Sequence, residues 1–261
     1  MGFMDGSTGK RLERVDLSGA MLRHVDLRNA RFEQVTLTGT RMRGVELGHV
    51  TIDGDIEDLV INGVDVAPYV YAELDRRYPD RAKMRPTDPD GFRTAWDILE
   101  RLWDGTVNRA RSLPPELLHE SVDGEWSFVQ TLRHLLFATD AWVRRVILGD
   151  PHPWDALDLP FDGMGDVPGV PWDRAVRPEL DKVLALRKDR MATVRRYVDE
   201  LTVDRLDAHT TPVPDPGWPG PDSYPVRECL LIVLNEEWQH RLYAERDLDA
   251  LEDTTSASRP T

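Results

Sequence analysis

The register of the first sixty-odd residues leaves little choice of fold. Counted in fives from Val15, the chain reads VDLSG, AMLRH, VDLRN, ARFEQ, VTLTG, TRMRG, VELGH and VTIDG. Every centre is large and apolar: Leu17, Leu22, Leu27, Phe32, Leu37, Met42, Leu47 and Ile52. Two residues earlier stands a smaller side chain: Val15, Ala20, Val25, Ala30, Val35, Thr40, Val45 or Val50. A period of five matches neither the 3.6 of a helix nor the 2 of a strand, so no single flat element can bury both rows. A chain that turns at each unit can, with stacked turns aiming both rows inward.

This segment resembles the pentapeptide-repeat family, whose fold is a four-sided right-handed β-helix with four units per coil. The resemblance implies about two coils for the eight units, a short β-solenoid over residues 1–66. The register slips after Gly54, and Leu59/Ile61 and Val64/Val66 restore a weaker partial coil. Some members of that family are acidic rods that imitate DNA. Up to residue 66 there are 11 acidic and 8 basic residues, a net of −3 out of −14 for the chain. So short and mildly charged a rod is a poor imitation of DNA, and the segment reads as a structural cap or docking platform.

At 261 residues the chain has room for two domains, and 40% apolar residues, including 8 Trp, can build a packed interior. A net charge of −14 argues against nucleic acid as a partner. The pairs Arg144–Arg145 and Arg195–Arg196 fall in expected helices beside acidic neighbours and read as solvated faces. Cys229 has no second cysteine to pair with, so nothing points to an oxidising compartment. Met1–Asp5 opens no signal peptide, and the longest apolar run, Cys229 to Leu234, is far too short for a membrane span. A cytoplasmic protein without membrane partners is expected.

After Asn62-Gly63 the stretch 67–90, with Pro79, Pro86 and Pro89, reads as a linker. A mainly α region, 91–251, follows. Helical spacing predicts helices over 91–111 (Phe92, Trp96, Leu99, Trp103), 126–148, 174–201 and 226–251. Ser127 and Gln130 fit a capping box, and Gly149-Asp150-Pro151 is a stop. Four such helices suggest a four-helix bundle, joined by two long Pro/Gly-rich crossovers at 150–173 and 207–225. Residues 252–261 read as a disordered tail.

Glu236 and His240 are four apart in Asn235-Glu236-Glu237-Trp238-Gln239-His240, hence on one face of the last helix. His134 lies in the second, with small Ala138 and Ala141 one turn on. Taken alone, a Glu/His pair at this spacing is more often an ion pair or a buried hydrogen bond, and a lone helical His more often a satisfied core residue. Brought together from two helices, two His and one carboxylate would be a metal constellation with positions left open. Cys229 reads as a small buried hydrophobe or a reactive thiol. His119 and His152 border loops, and Asp140 or Glu237 could hold a ligand imidazole by its second nitrogen.

The run Val122-Asp123-Gly124-Glu125-Trp126-Ser127-Phe128, then His134-Leu135, then Glu236 to His240 and Arg246-Asp247-Leu248, resembles the DinB-like superfamily of metal-binding four-helix bundles. That superfamily typically presents one His from its second helix and an H-x-x-x-H pair from its last. Here Glu236 stands where the first His of that pair would be, and the His/Glu/His set is similar to that of the mycothiol-dependent maleylpyruvate isomerases. The resemblance implies His134, Glu236 and His240 as ligands of a divalent ion, zinc by analogy, with nickel, iron or manganese as alternatives. It further implies a thiol transferase or isomerase that takes a small-molecule thiol of the mycothiol type and an electrophile. Metal-assisted hydrolysis and a non-catalytic binding protein with a structural metal are the alternatives, and a homodimer is compatible with either.

Overall fold

The structure, a computed structural model, describes residues 11–257. It divides into two compact units, one ending at Asp55 and the other beginning at Ile56. In the first, a left-handed residue recurs at every fifth position: Arg14, Gly19, His24, Asn29, Gln34, Gly39, Gly44 and His49, with φ between 52° and 73°. These are the turns that a period of five demands. Ala20 N, Ala30 N and Thr40 N close alternate turns by donating to Leu17 O, Leu27 O and Leu37 O at 2.9–3.0 Å. The expected inward burial does not follow, because the eight apolar centres remain 50–65% exposed. About two coils leave every row beside an open end, whereas a solenoid buries a row only between neighbours on both sides. No strand forms among the described residues of this unit.

The second unit opens with a hairpin, β1 (Val60–Ile61) and β2 (Val64–Asp65), paired antiparallel across Asn62-Gly63. Both turn residues have positive φ, 49° and 83°, as a two-residue hairpin turn requires. Residues 67–90 are not the linker expected. They hold helix α1 (Ala67–Arg77) and a 3-10 turn at Arg81–Met84 whose Met84 is buried in the core. Pro68 and Pro89 each sit in the first turn of a helix, where a missing N–H costs nothing, so these prolines start structure rather than interrupt it.

Four long helices build the bundle. Helix α2 (Pro89–Ala110) is capped by Asp88, whose carboxylate accepts from Gly91 N at 2.9 Å, and it buries the stripe Phe92, Ala95, Trp96, Leu99, Trp103. Helix α3 (Phe128–Thr139) starts on the expected capping box of Ser127 and Gln130. It then widens into π-helix over Asp140–Ile147, with Leu148 N donating to Val143 O, before stopping at Gly149. Periodicity had predicted one regular helix to 148. Helix α4 (Leu180–Asp199) starts six residues later than expected, the short α5 (Val203–Leu206) follows, and α6 (Val226–Ala257) is the longest. Helix α2 packs on α4 and α6, and α3 packs on the same two, which closes a four-helix ring. Because α6 continues to Ala257, the expected tail begins as helix; residues 258–261, like Met1–Asp5, lie outside the described residues. Among the described residues no helix is long and apolar enough to cross a membrane.

The two crossovers are irregular, as expected, and each is fastened by a fully buried arginine of the α3 helix and its π extension. Arg133 donates to Leu157 O (2.8 Å), Val176 O (3.2 Å) and Asp173 O (2.5 Å). Arg145, which the sequence had suggested was solvated, donates to Pro151 O (3.0 Å), Pro219 O (3.3 Å) and Asp215 O. A Cβ at Gly217 would lie 2.6 Å from Arg145 Cζ, so only glycine lets the chain pass so close. Arg195 also differs from expectation, bridging α4 to Glu100 of α2 at 2.6 Å, while Arg196 is exposed.

Helix α4 contributes two more buried arginines. Arg187 meets Glu237 of α6 with two bonds of 2.6 and 2.7 Å, and Arg190 meets Asp140 at 2.7 Å. Removing one partner of such a pair leaves a buried charge without compensation. Arg187→Ala should therefore cost about 3–5 kcal/mol in a denaturant titration. A loss under ~1 kcal/mol, the range of solvent-exposed pairs, would contradict the burial.

Asp158 is wholly buried beside Asp140, and burial first, then repulsion from Asp140, holds its carboxyl well above the usual range. A group whose folded-state pKa is raised contributes stability that is fully present below its unfolded pKa and is lost as pH rises through the folded value. Asp158→Asn, which cannot ionise, should thus gain on the wild type as pH increases from the acid side. Parallel stability profiles of the two proteins between acid and alkaline pH would show that Asp158 titrates normally.

Candidate metal centre

The capping box of Ser127 and Gln130 sets the start of α3, and His134 falls on its second turn, facing inward at 5% exposure. Its Nδ1–H donates to Leu159 O at 2.9 Å. That bond fixes the tautomer and leaves the Nε2 lone pair directed at α6. Glu236 Oε2 is 3.3 Å from His134 Nε2 and 3.1 Å from His240 Nε2. One nitrogen from each imidazole and one carboxylate oxygen lie within 4.8 Å of one another. Bonds of ~2.0–2.2 Å to a tetrahedral ion put neighbouring donors ~3.3–3.5 Å apart. Both Glu236–imidazole separations are close to that spacing, while the widest donor pair, within 4.8 Å, must draw in for the three to hold one ion.

Electrostatics favour a carboxylate at Glu236 and a neutral imidazole at His240. Burial by itself would raise the Glu236 carboxyl, but the facing His134 and His240 outweigh it and hold the group well below the usual carboxylate range. Burial lowers the His240 pKa against the opposing pull of Glu236, so the neutral imidazole is favoured. Aromatic rings enclose the pair. Trp126 lies 4.6 Å from His134 and stacks 12° from parallel on His240 at 5.9 Å, while Tyr243 meets His240 edge-on at 5.8 Å. Trp126 is itself steadied by an Nε1–H bond to Asp162 at 3.3 Å.

The structure thus brings together His134, Glu236 and His240, and among the described residues no other His/Cys/Asp/Glu group of this kind forms. His119 ends a 3-10 turn at Pro115–His119 and His152 lies in the first crossover, and neither joins the group. Cys229 is buried and its thiol pushed up to about 12, chiefly by desolvation, which leaves it inert. Neither Asp140 nor Glu237 holds a ligand imidazole. Both carboxylates are taken up by arginines of α4, and the group on the second nitrogen of His134 is the backbone carbonyl of Leu159. Sequence reasoning missed that carbonyl, and with it Arg133, because a loop oxygen carries no side-chain signal. Trp126 could have been found: it sits in the Trp-Ser pair just before the helix.

A model of pentapeptide repeats, in 8 copies, matches residues 11–48. No curated protein and no solved structure matches the chain. A model of the DinB superfamily matches residues 98–244, more than half of the chain and containing all three converging residues. The chain belongs to the DinB superfamily, with pentapeptide repeats ahead of its helical domain.

Proposed function

We propose that His134, Glu236 and His240 hold one divalent metal ion, and that the protein uses it to activate a low-molecular-weight thiol for transfer to, or isomerisation of, a small electrophile. The observation that carries this reading is the fixed tautomer of His134: with Nδ1 committed to Leu159 O, its Nε2 lone pair faces the same point as Glu236 and His240. Superfamily membership supports the metal, zinc being the candidate by resemblance and iron, nickel or manganese also suiting a His/His/carboxylate set.

A bound divalent ion would lower the pKa of a coordinated thiol so that it is present as thiolate at neutral pH. The chain's own residues prepare for that. Two neutral imidazoles and one carboxylate leave a divalent ion with net positive charge, which an anionic sulfur complements. Three protein donors leave room for a further ligand. Trp126 and Tyr243 cover the imidazole rings and keep bulk water from them. The buried Cys229 cannot be the sulfur, so the thiol must come from outside the chain, and mycothiol is the one the resemblance suggests. The acidic balance of the chain weighs against a nucleic-acid substrate.

Protein purified without chelator should carry about one divalent ion per chain by elemental analysis, and His240→Ala should lose most of it, since one of three protein ligands supplies a large share of the binding free energy. Equal metal content in the two proteins would remove His240 from the site. The thiol step is tested separately on the cobalt(II)-substituted protein, where sulfur ligation adds an intense near-ultraviolet charge-transfer band. Titration with mycothiol should raise that band saturably, and His134→Ala should abolish the response. A spectrum unchanged at millimolar thiol, with cobalt still bound, would overturn thiol activation and leave metal-assisted hydrolysis or a structural ion.

A further inference from the structure

On the side of α6 turned away from Glu236 and His240 lies a cleft of about 370 Å³, closed on its other wall by the segment around Arg81–Thr87. That volume is in the range of small-molecule sites. Arg81 and Arg85 line it from the segment, and Arg227 lines it from α6. No carboxylate lines it. Asp75 accepts from both Arg81 (2.5 Å) and Arg85 (2.7 Å), and Asp207 accepts from Arg227 (2.6 Å). Three guanidinium groups therefore share two carboxylates, and Arg227 also donates to Thr87 O at 2.6 Å.

Trp238 also lines the cleft and is 3% exposed, so its indole signal reports on the cleft wall. Between the arginines and the indole the wall is apolar, formed by Met84 and Leu231.

We propose that this cleft binds a small organic oxyanion, a carboxylate or phosphate monoester on a flat apolar body. The oxyanion meets Arg81, Arg85 and Arg227, and the body lies on Met84 and Leu231 beside Trp238. Guanidinium forks suit the planar or tetrahedral oxygens of such groups, and the charge-assisted bonds are about twice as strong as neutral ones. The site is separate from the metal centre and does not rest on the reading of that centre.

The test follows indole N–H signals of the full-length, ¹⁵N-labelled protein during titration, with the Trp238→Phe spectrum identifying the Trp238 signal and Trp126→Phe that of Trp126. Phenyl phosphate and benzoate are the probes, which separates phosphate from carboxylate, and inorganic phosphate reports the oxyanion without the body. At least one aromatic probe should move the Trp238 signal saturably with a Kd at or below ~1 mM. Inorganic phosphate should bind about tenfold or more weakly, and Arg85→Gln and Arg227→Gln should each weaken the aromatic probe about tenfold. The Trp126 signal, beside the metal centre, should stay still. The proposal is overturned by a Trp238 signal that does not move at ~10 mM of either aromatic probe. It is equally overturned by affinities unchanged in both arginine variants, by movement of Trp126 in place of Trp238, or by inorganic phosphate binding as tightly as the aromatic probes.

Discussion

The rotation of α6 decides whether Glu236 and His240 meet His134 at all, and a buried ion pair governs it. Glu237 is drawn into the interior by the two-pronged bond from Arg187 of α4. On a helix the next residue back lies 100° away around the axis, so a fixed Glu237 leaves Glu236 and His240 facing α3 rather than α4. Arg190, one turn on, does the same for the far end of α3 by holding Asp140. Hydrophobic stripes alone tolerate a helix that rolls by tens of degrees. A buried guanidinium against a carboxylate does not, because any roll leaves two charges unsatisfied in a medium that cannot solvate them.

A second layer of constraint comes from arginines that meet no carboxylate. Arg133 and Arg145 are both desolvated, which lowers their pKa, and both direct their N–H groups at backbone carbonyls of the crossover loops. Irregular loops carry carbonyls that no ladder satisfies, and a buried five-donor fork is well suited to collect them. The loop held by Arg133 is the one whose Leu159 carbonyl takes the His134 proton, and Leu159 N returns a bond to Arg133 O at 3.2 Å. Loop anchoring and imidazole orientation are therefore one arrangement: the fold's handling of unpaired backbone groups also sets the His134 tautomer.

The π segment at Asp140–Ile147 fits the same picture. Wide turns pack less well along their own axis than α turns, and they persist where tertiary contacts hold the residues in place. Here Asp140 is held by Arg190 and Arg144, and Arg145 by four loop carbonyls.

Much of this protein could be read from its residues. A period of five in the first unit dictated a turn at each fifth residue, because no other backbone path brings Leu17, Leu22 and Leu27 to equivalent positions. Ser127 with Gln130 announced the start of α3, since a capping box is a local hydrogen-bonding requirement that neighbours cannot alter. The spacing of Glu236 and His240 put both on one face for the same local reason. Tertiary structure decided the rest. Whether Pro86 and Pro89 marked a linker or a helix start, whether Arg145 met water or carbonyls, and which group took the second nitrogen of His134 all depended on partners 6 to 74 residues away in the chain. Contacts of that kind are set by how the helices pack, and no local periodicity encodes them.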